Sequence, residues 1–367
     1  MKKTILLLIL SFLAVSCYEE VVIPVGDDDP VGVMNAQLST LESTHTVYLS
    51  VSRKSRVRAL TGAEVRVFVN GAQVATAQEL PADYEGQWET AYDFETDIRP
   101  GDEVRIEARQ GTMSLSASVT APPAVTVSSV DTSTVRMTYL GESSDYLQAK
   151  MVFRDLPGTS YYRVYGRSVD YFEYLDEDGN PIPGFSGTSE RYLLMETGFD
   201  PVISEGAGKS GGADLGAILS DGNSYSCFSD SPFADGECTI RPLLDIYSYR
   251  LDHYYGLNVP ESMKDEIDWD LLASLPRKMH RISTVQLRSL DFSQYRYLKA
   301  LENLDTFGTE MSFLVEPTTL PSNVEGGLGF VGIEAVTELM FYEETRVFPP
   351  LGVIYYGDDD YWGYRDE

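Results

Sequence analysis

Asn70-Gly71 is the feature that most narrows what this chain can become. It separates two alternating runs, Glu64-Val65-Arg66-Val67-Phe68-Val69 and Gln73-Val74-Ala75. Both central positions of a two-residue hairpin turn need positive φ, which Asn and Gly tolerate. The spacing predicts a β-hairpin, and the same period of two recurs on either side. Thr46 to Val51, Tyr92 to Glu95, Glu103 to Arg109 and Ser114 to Val119 read as further strands. Pro100-Gly101-Asp102 and Gln110-Gly111 punctuate them. That many short strands between residues 33 and 120 suggest an immunoglobulin-like β-sandwich. Ala121-Pro122-Pro123 then marks a linker, because proline stiffens the chain and cannot donate to a ladder.

The remainder, 124–367, reads as a larger β-rich domain with one or two helices. Candidate strands are Val125 to Val130, Gln148 to Phe153, Tyr161 to Phe172, Arg191 to Glu196, Cys238 to Tyr249 and Ser283 to Leu290. One helix is expected over Asp265 to Leu275. Another is expected over Phe292 to Leu304, with Asp291 as N-cap and Gln294 at the third position, similar to a capping box. The fold class is therefore mainly β.

Composition excludes several roles. Of 367 residues, 57 are acidic and 28 basic, a formal charge of -29. A phosphate backbone needs a basic footprint, so nucleic acid is not an expected partner. The same field repels anionic lipid head groups, so membrane attachment has to be covalent or hydrophobic.

The N-terminus supplies such an attachment. Lys2-Lys3 precede an apolar run from Ile5 to Val15, the layout of a secretory signal and too short to span a bilayer. Leu13-Ala14-Val15-Ser16-Cys17 resembles a bacterial lipobox. Residues 1–16 then form the signal peptide, Cys17 carries the lipid, and 17–32 form an acidic tether. An ordinary signal peptide with a nearby cysteine is the alternative. Glu19-Glu20 after the cysteine resembles a surface-export signal, although a solvated tether has the same composition.

No catalytic set emerges. His45, His253 and His280 lie far apart without metal-ligand spacing, and no G-x-S-x-G occurs. Gly208-Lys209-Ser210 lacks the upstream glycine of a P-loop and reads as part of a flexible Gly206 to Gly212 loop. Asp176-Glu177-Asp178-Gly179-Asn180 misplaces the glycine of a calcium loop and fits a hairpin tip better. Asp358-Asp359-Asp360 reads as a solvated tail. Metal, cofactor and enzymatic activity are therefore not expected. Cys227 and Cys238, in a chain bound for an oxidising compartment, are expected to form a disulfide, with two buried thiols as the alternative. Tyrosines cluster at Tyr161-Tyr162, Tyr165, Tyr171 and Tyr174, where strand faces account for them. Another group, Tyr355-Tyr356 with Tyr361-Trp362, lies in an acidic tail and fits an interaction role.

Several ordered segments share one resemblance. They are Phe153-Arg154-Asp155-Leu156-Pro157-Gly158 leading to Tyr161-Tyr162-Arg163, Phe228-Ser229-Asp230 with Phe233 and Gly236, and Tyr295-Arg296-Tyr297-Leu298. The most specific is Pro321-Ser322-Asn323-Val324-Glu325-Gly326-Gly327-Leu328-Gly329-Phe330-Val331-Gly332. The set resembles Bacteroidota lipoproteins of domain of unknown function 4249, from Cys17 to about Val336; the tail after Phe341 departs from the pattern. The resemblance implies an outer-membrane lipoprotein, often encoded beside a TonB-dependent transporter, and lends no catalytic residues. The glycine-rich stretch allows positive φ and close backbone approach, with a backbone ligand cradle as the sharper alternative. The expected function is non-catalytic capture of a small molecule, peptide or glycan for such a transporter. The alternative is an adhesin or structural surface lipoprotein.

Overall fold

A computed structural model describes residues 30–53, 56–82, 86–139, 142–193, 195–196, 199–205, 225–244, 275–307 and 320–348. Cys17, His253, the Gly206 to Gly212 loop, the helix expected over Asp265 to Leu275 and the acidic aromatic tail lie outside these residues.

The first half is built from β1 (Val31–Ser39), β2 (Thr44–Arg53), β3 (Arg56–Ala59), β4 (Glu64–Val69), β5 (Ala72–Glu79), β6 (Thr90–Glu95), β7 (Glu103–Gln110) and β8 (Met113–Thr120). The expected turn sits between β4 and β5, with φ of 51° at Asn70 and 80° at Gly71. Neighbouring strands run in the order β1-β2-β6-β5-β4-β7-β8. Alternate residues point inward, so Met34, Leu38, Val47, Leu49, Val65, Val67, Val104 and Ile106 are each fully buried in one core. Each such side chain contributes roughly 1.5–3 kcal/mol.

This sandwich-like layer is completed from far along the chain. Residues 320–330 lie between β8 and β1. Glu325 N–H donates to the Ser116 carbonyl at 2.8 Å, while Leu328 N–H donates to the Gly32 carbonyl at 2.9 Å. Met34 and Ala36 return bonds to the Leu328 and Phe330 carbonyls at 2.9 and 3.0 Å. Val324, Val331 and Ile333 join the same core.

The second half contributes β9 (Thr126–Tyr139), β10 (Glu142–Arg154), β11 (Tyr161–Leu175), β12 (Pro181–Leu193), β13 (Met195–Glu196), β14 (Cys227–Ser229), β15 (Glu237–Ile240), β16 (Leu243–Leu244), β17 (Arg277–Leu290), the helix α1 (Phe292–Phe307) and β18 (Val331–Phe348). β18 runs parallel to β1, from Ala36↔Val331 to Ser39↔Glu334, and then pairs antiparallel with β17 from Ala335 to Phe348. One thirteen-stranded sheet thus continues from β8 through β1, β18, β17 and β11 to β12. A five-stranded sheet of β9, β10, β13, β15 and β16 covers part of its inner face. Met151, Phe153, Ile240 and Cys238 from the small sheet pack there on Tyr162, Val164, Val285 and Leu287.

Candidate functional site

The outer face of the β12-β11-β17-β18 portion carries the densest polar chemistry among the described residues. α1 covers one end of it. Asp291 caps the helix, accepting from the Gln294 N–H at 2.7 Å. The reciprocal bond of a capping box is not what the Gln294 side chain makes. Instead its Oε1 accepts from the Ile333 N–H at 3.1 Å and its Nε2 donates to Glu334 at 3.1 Å. Gly332 permits this, because a Cβ there would stand 2.9 Å from the Gln294 amide carbon.

Glu334 is 0% exposed and lies between two guanidiniums. Arg163 Nη1 donates to its Oε1 at 3.2 Å, and Arg288 Nη1 bonds its Oε2. Both guanidiniums also lie against the Tyr165 ring, 4.1 and 4.3 Å from its centroid. Two cations share one buried carboxylate, and the aromatic face takes up part of the remaining positive charge.

From there the polar contacts step outward along the sheet. Arg288 Nε donates to Gln286 at 3.0 Å, and Gln286 Nε2 donates to Glu338 at 2.6 Å. Glu338 lies 3.6 Å from Arg167, which grips Glu190 with two bonds of 2.6 and 2.7 Å. That fork holds the Glu190 carboxyl below the usual carboxylate range.

Beyond Arg167 the face is open. A groove of about 570 Å³ is lined by Tyr171, Glu173, Ser186, Thr188, Lys278 and His280, with Phe172 and two glycines completing the wall. Lys278 Nζ stands 3.4 Å from Glu173, and His280 lies 3.1 Å from the Thr345 hydroxyl and 3.4 Å from Glu343. The Tyr171 ring is 42% exposed and its centroid lies 6.0 Å from that of His280. Hydroxyls, an ammonium, a carboxylate and an accessible aromatic face suit a polar ligand laid along the strands. Among the described residues no three His, Cys, Asp or Glu side chains converge to hold a metal ion.

The structure redistributes the residues singled out by sequence. Asp176 to Asn180 form the tip between β11 and β12. There Asp176 accepts from the Asp178 and Asn180 N–H groups at 3.0 and 2.8 Å, which holds its carboxyl below the usual range. His45 is buried in the first half, against Thr96 O and the Phe94 ring. The expected Cys227–Cys238 bond is not formed, and both are buried thiols. Cys227 is paired with Arg163 and packs beneath α1 with Leu290 and Leu298, whereas Cys238 belongs to the core between the sheets. The main sheet stands between them. Burial pushes each thiol up to about 12. Sequence reading names Tyr171 and His280 but does not join them to Glu173, Thr188 or Lys278, because single residues spread over three neighbouring strands form no local motif.

A family model described as Domain of unknown function (DUF4249) matches residues 18–339. The chain belongs to this family. No curated protein matches it. In this DUF4249 chain the segments that carried the resemblance prove to be fastenings. The Tyr162 hydroxyl bonds Asp155, whose other oxygen accepts from the Asp235 N–H at 2.7 Å. Asp230 accepts from the Ser160 N–H at 2.7 Å, and its own N–H donates to the Ser160 carbonyl at 3.0 Å. Asn323 clamps Val331 through both its backbone N–H and carbonyl, at 2.9 and 2.8 Å. The DUF4249 glycines serve close approach: a Cβ on Gly326 or Gly329 would stand 2.1 Å from a backbone oxygen of Ser114 or Met34. The backbone groups of this stretch are spent on β8 and β1, which supports the structural reading of its glycines.

Proposed function

We propose that this DUF4249 protein is a non-catalytic, lipid-anchored outer-membrane protein that captures a polar nutrient for a TonB-dependent transporter. The observation that carries the reading is the parallel register of β1 and β18. β1 starts at Val31, at the end of the segment expected to form the tether. β18 continues from beside Ala36 to Thr345 next to His280. At ~3.3 Å per strand residue, about 60 Å of strand path separates the groove from Val31. A rigid sheet of this length suits a protein that holds a ligand-binding face away from the lipid layer. The anchor keeps it at high effective concentration near neighbouring membrane proteins. An open groove of polar side chains with one exposed ring fits reversible capture.

Deleting the gene should impair growth on particular nutrients only. Complementation with the wild-type gene should restore growth, and a Tyr171→Ala/Lys278→Ala gene should not, although its product accumulates normally. If deletion leaves uptake intact while cell adhesion collapses, the protein is a surface adhesin instead.

A further inference from the structure

β12 is the last strand of the thirteen-stranded sheet and pairs on one side with β11, from Leu175↔Pro181 to Gly166↔Leu193. Among the described residues nothing pairs with its other side. Natural edge strands are ordinarily blunted by proline, lysine or short length. Here the prolines stand only at 181 and 183, and Phe185 to Leu193 carries neither proline nor lysine. That stretch keeps a row of main-chain N–H and C=O groups turned away from β11. The groove described above reaches this row, because it touches Ser186, Gly187 and Thr188 in succession. Successive strand residues point to opposite faces, so contact with all three is contact with the main chain at the edge.

The register shows what an added strand would meet. Thr188, Tyr171 and His280 stand side by side across three strands, and Ser186, Glu173 and Lys278 form the next row. A strand beside β12 would extend both rows, its side chains about 5 Å from Thr188 and Ser186. Those two are short, which leaves a long side chain a path over them to the exposed Tyr171 ring and the Glu173 carboxylate. Charge favours a cation there. On and beside the groove the acids are Glu173, Glu190, Glu343 and the tip residues Asp176, Glu177 and Asp178. The cations are Lys278, Arg167 and, in the sequence of β12, Arg191. On the other face of the same strands Arg277, Arg281 and Arg346 stand against Asp170 and Glu344, so acids still exceed cations over both faces. The overall charge of -29 adds a long-range field of the same sign.

We propose that β12 accepts an extended peptide as an added strand, with a lysine or arginine of that peptide lying over Thr188 on the Tyr171 ring, toward Glu173. The inference rests on the capture reading above and deepens it by naming the ligand class. Main-chain bonds would supply affinity, and the side-chain row would supply the preference for basic peptides.

The test titrates the full mature chain with a capped heptapeptide of alternating threonine and lysine. Two further versions carry N-methyl groups on one or the other alternate set of amides, since only one set can face β12. One methylated version should bind tenfold or more weakly than the parent, as loss of about three main-chain bonds requires, and the other should bind like the parent. Tyr171→Ala should weaken the parent peptide severalfold. Thr188→Lys should do the same to the lysine peptide and not to its threonine–glutamate counterpart. No binding of the lysine peptide, equal binding of all three versions, or indifference to Thr188→Lys overturns the proposal. So does a wild-type dimer that Thr188→Lys converts to monomer, because a second copy would then hold the edge. Tyr171-dependent binding of maltoheptaose without peptide binding also overturns it, while leaving capture at the groove intact. Peptide binding with the expected pattern, in a chain whose gene deletion spares all uptake, supports strand addition and removes the transport reading instead.

Discussion

At the residue scale, the side chains that matter most are the ones sequence periodicity would place outside. Arg163, Arg288 and Glu334 stand on the outer face of the sheet, yet each is at most 8% exposed because α1 lies over them. Replacing Glu334 with Gln keeps the volume and leaves two guanidiniums without their shared anion. A loss of about 3–5 kcal/mol is expected in urea unfolding. Gln294→Ala should cost less, about 1–3 kcal/mol, since neutral groups are left unsatisfied. If Glu334→Gln is no worse than Gln294→Ala, the charge cluster is not what fixes the helix. His45 offers a pH reading. Burial holds its imidazole below the ordinary value, with the Thr96 carbonyl opposing that shift. The unfolded chain therefore binds the proton more readily. The stabilising difference is complete above about pH 6.5 and is lost as pH falls toward the lowered folded value. A His45→Gln variant should show a flatter stability profile than wild type between pH 7 and 5; parallel profiles would remove His45 from the account. The two thiols give a third expectation. Buried and held in the neutral form, Cys227 and Cys238 should resist an aqueous thiol reagent until the chain is unfolded. Both should then label in unreduced protein.

At the scale of elements, legibility followed local signals. Asn70-Gly71 and Asp291 each mark an element end by side-chain chemistry, and both the hairpin and α1 stand where those residues put them. β18 carried no such mark and was not expected as a strand. Its first five residues are buried with no in–out alternation, and Gly326, Gly327 and Gly329, read for positive φ and close backbone approach, stand just before it. The first part of β12 was missed as well, because Pro181, Pro183 and Gly184 are strand breakers except at an edge, which is where β12 lies. The glycines before β18 can be tested against a control. Gly329 has a φ of 115° and no room for a Cβ beside the Met34 carbonyl, while Gly71 has a φ of 80° and open space around it. Gly71→Ala should cost about 1 kcal/mol for the backbone alone. Gly329→Ala should lower the thermal midpoint several times further, because β1 must move as well. Similar shifts in the two variants would mean that close approach is not the reason for glycine at 329.

At the scale of the whole molecule, the sequence divides at Ala121-Pro122-Pro123, but the hydrogen bonds cross that point. The first-half core takes Val324, Val331 and Ile333 from some two hundred residues downstream, and β1 owes its second neighbour to β18. No local pattern announces pairing at that separation, so the alternation of β1 to β8 reads as a self-sufficient sandwich. A fragment of residues 30–123 tests the difference. It lacks three buried aliphatic side chains and leaves β1 and β8 as open edges, where unpaired N–H and C=O groups invite association. At roughly 1.5–3 kcal/mol for each lost side chain, the deficit is comparable to the whole stability of a small domain. The fragment alone should therefore unfold at lower urea than the intact chain, or self-associate. Adding a peptide of residues 320–339 should restore a cooperative transition and amide protection at Met34 and Ala36, whose N–H groups donate to Leu328 and Phe330. A fragment that is monomeric and as stable as the parent without the peptide would show that the downstream segment merely decorates a finished sandwich.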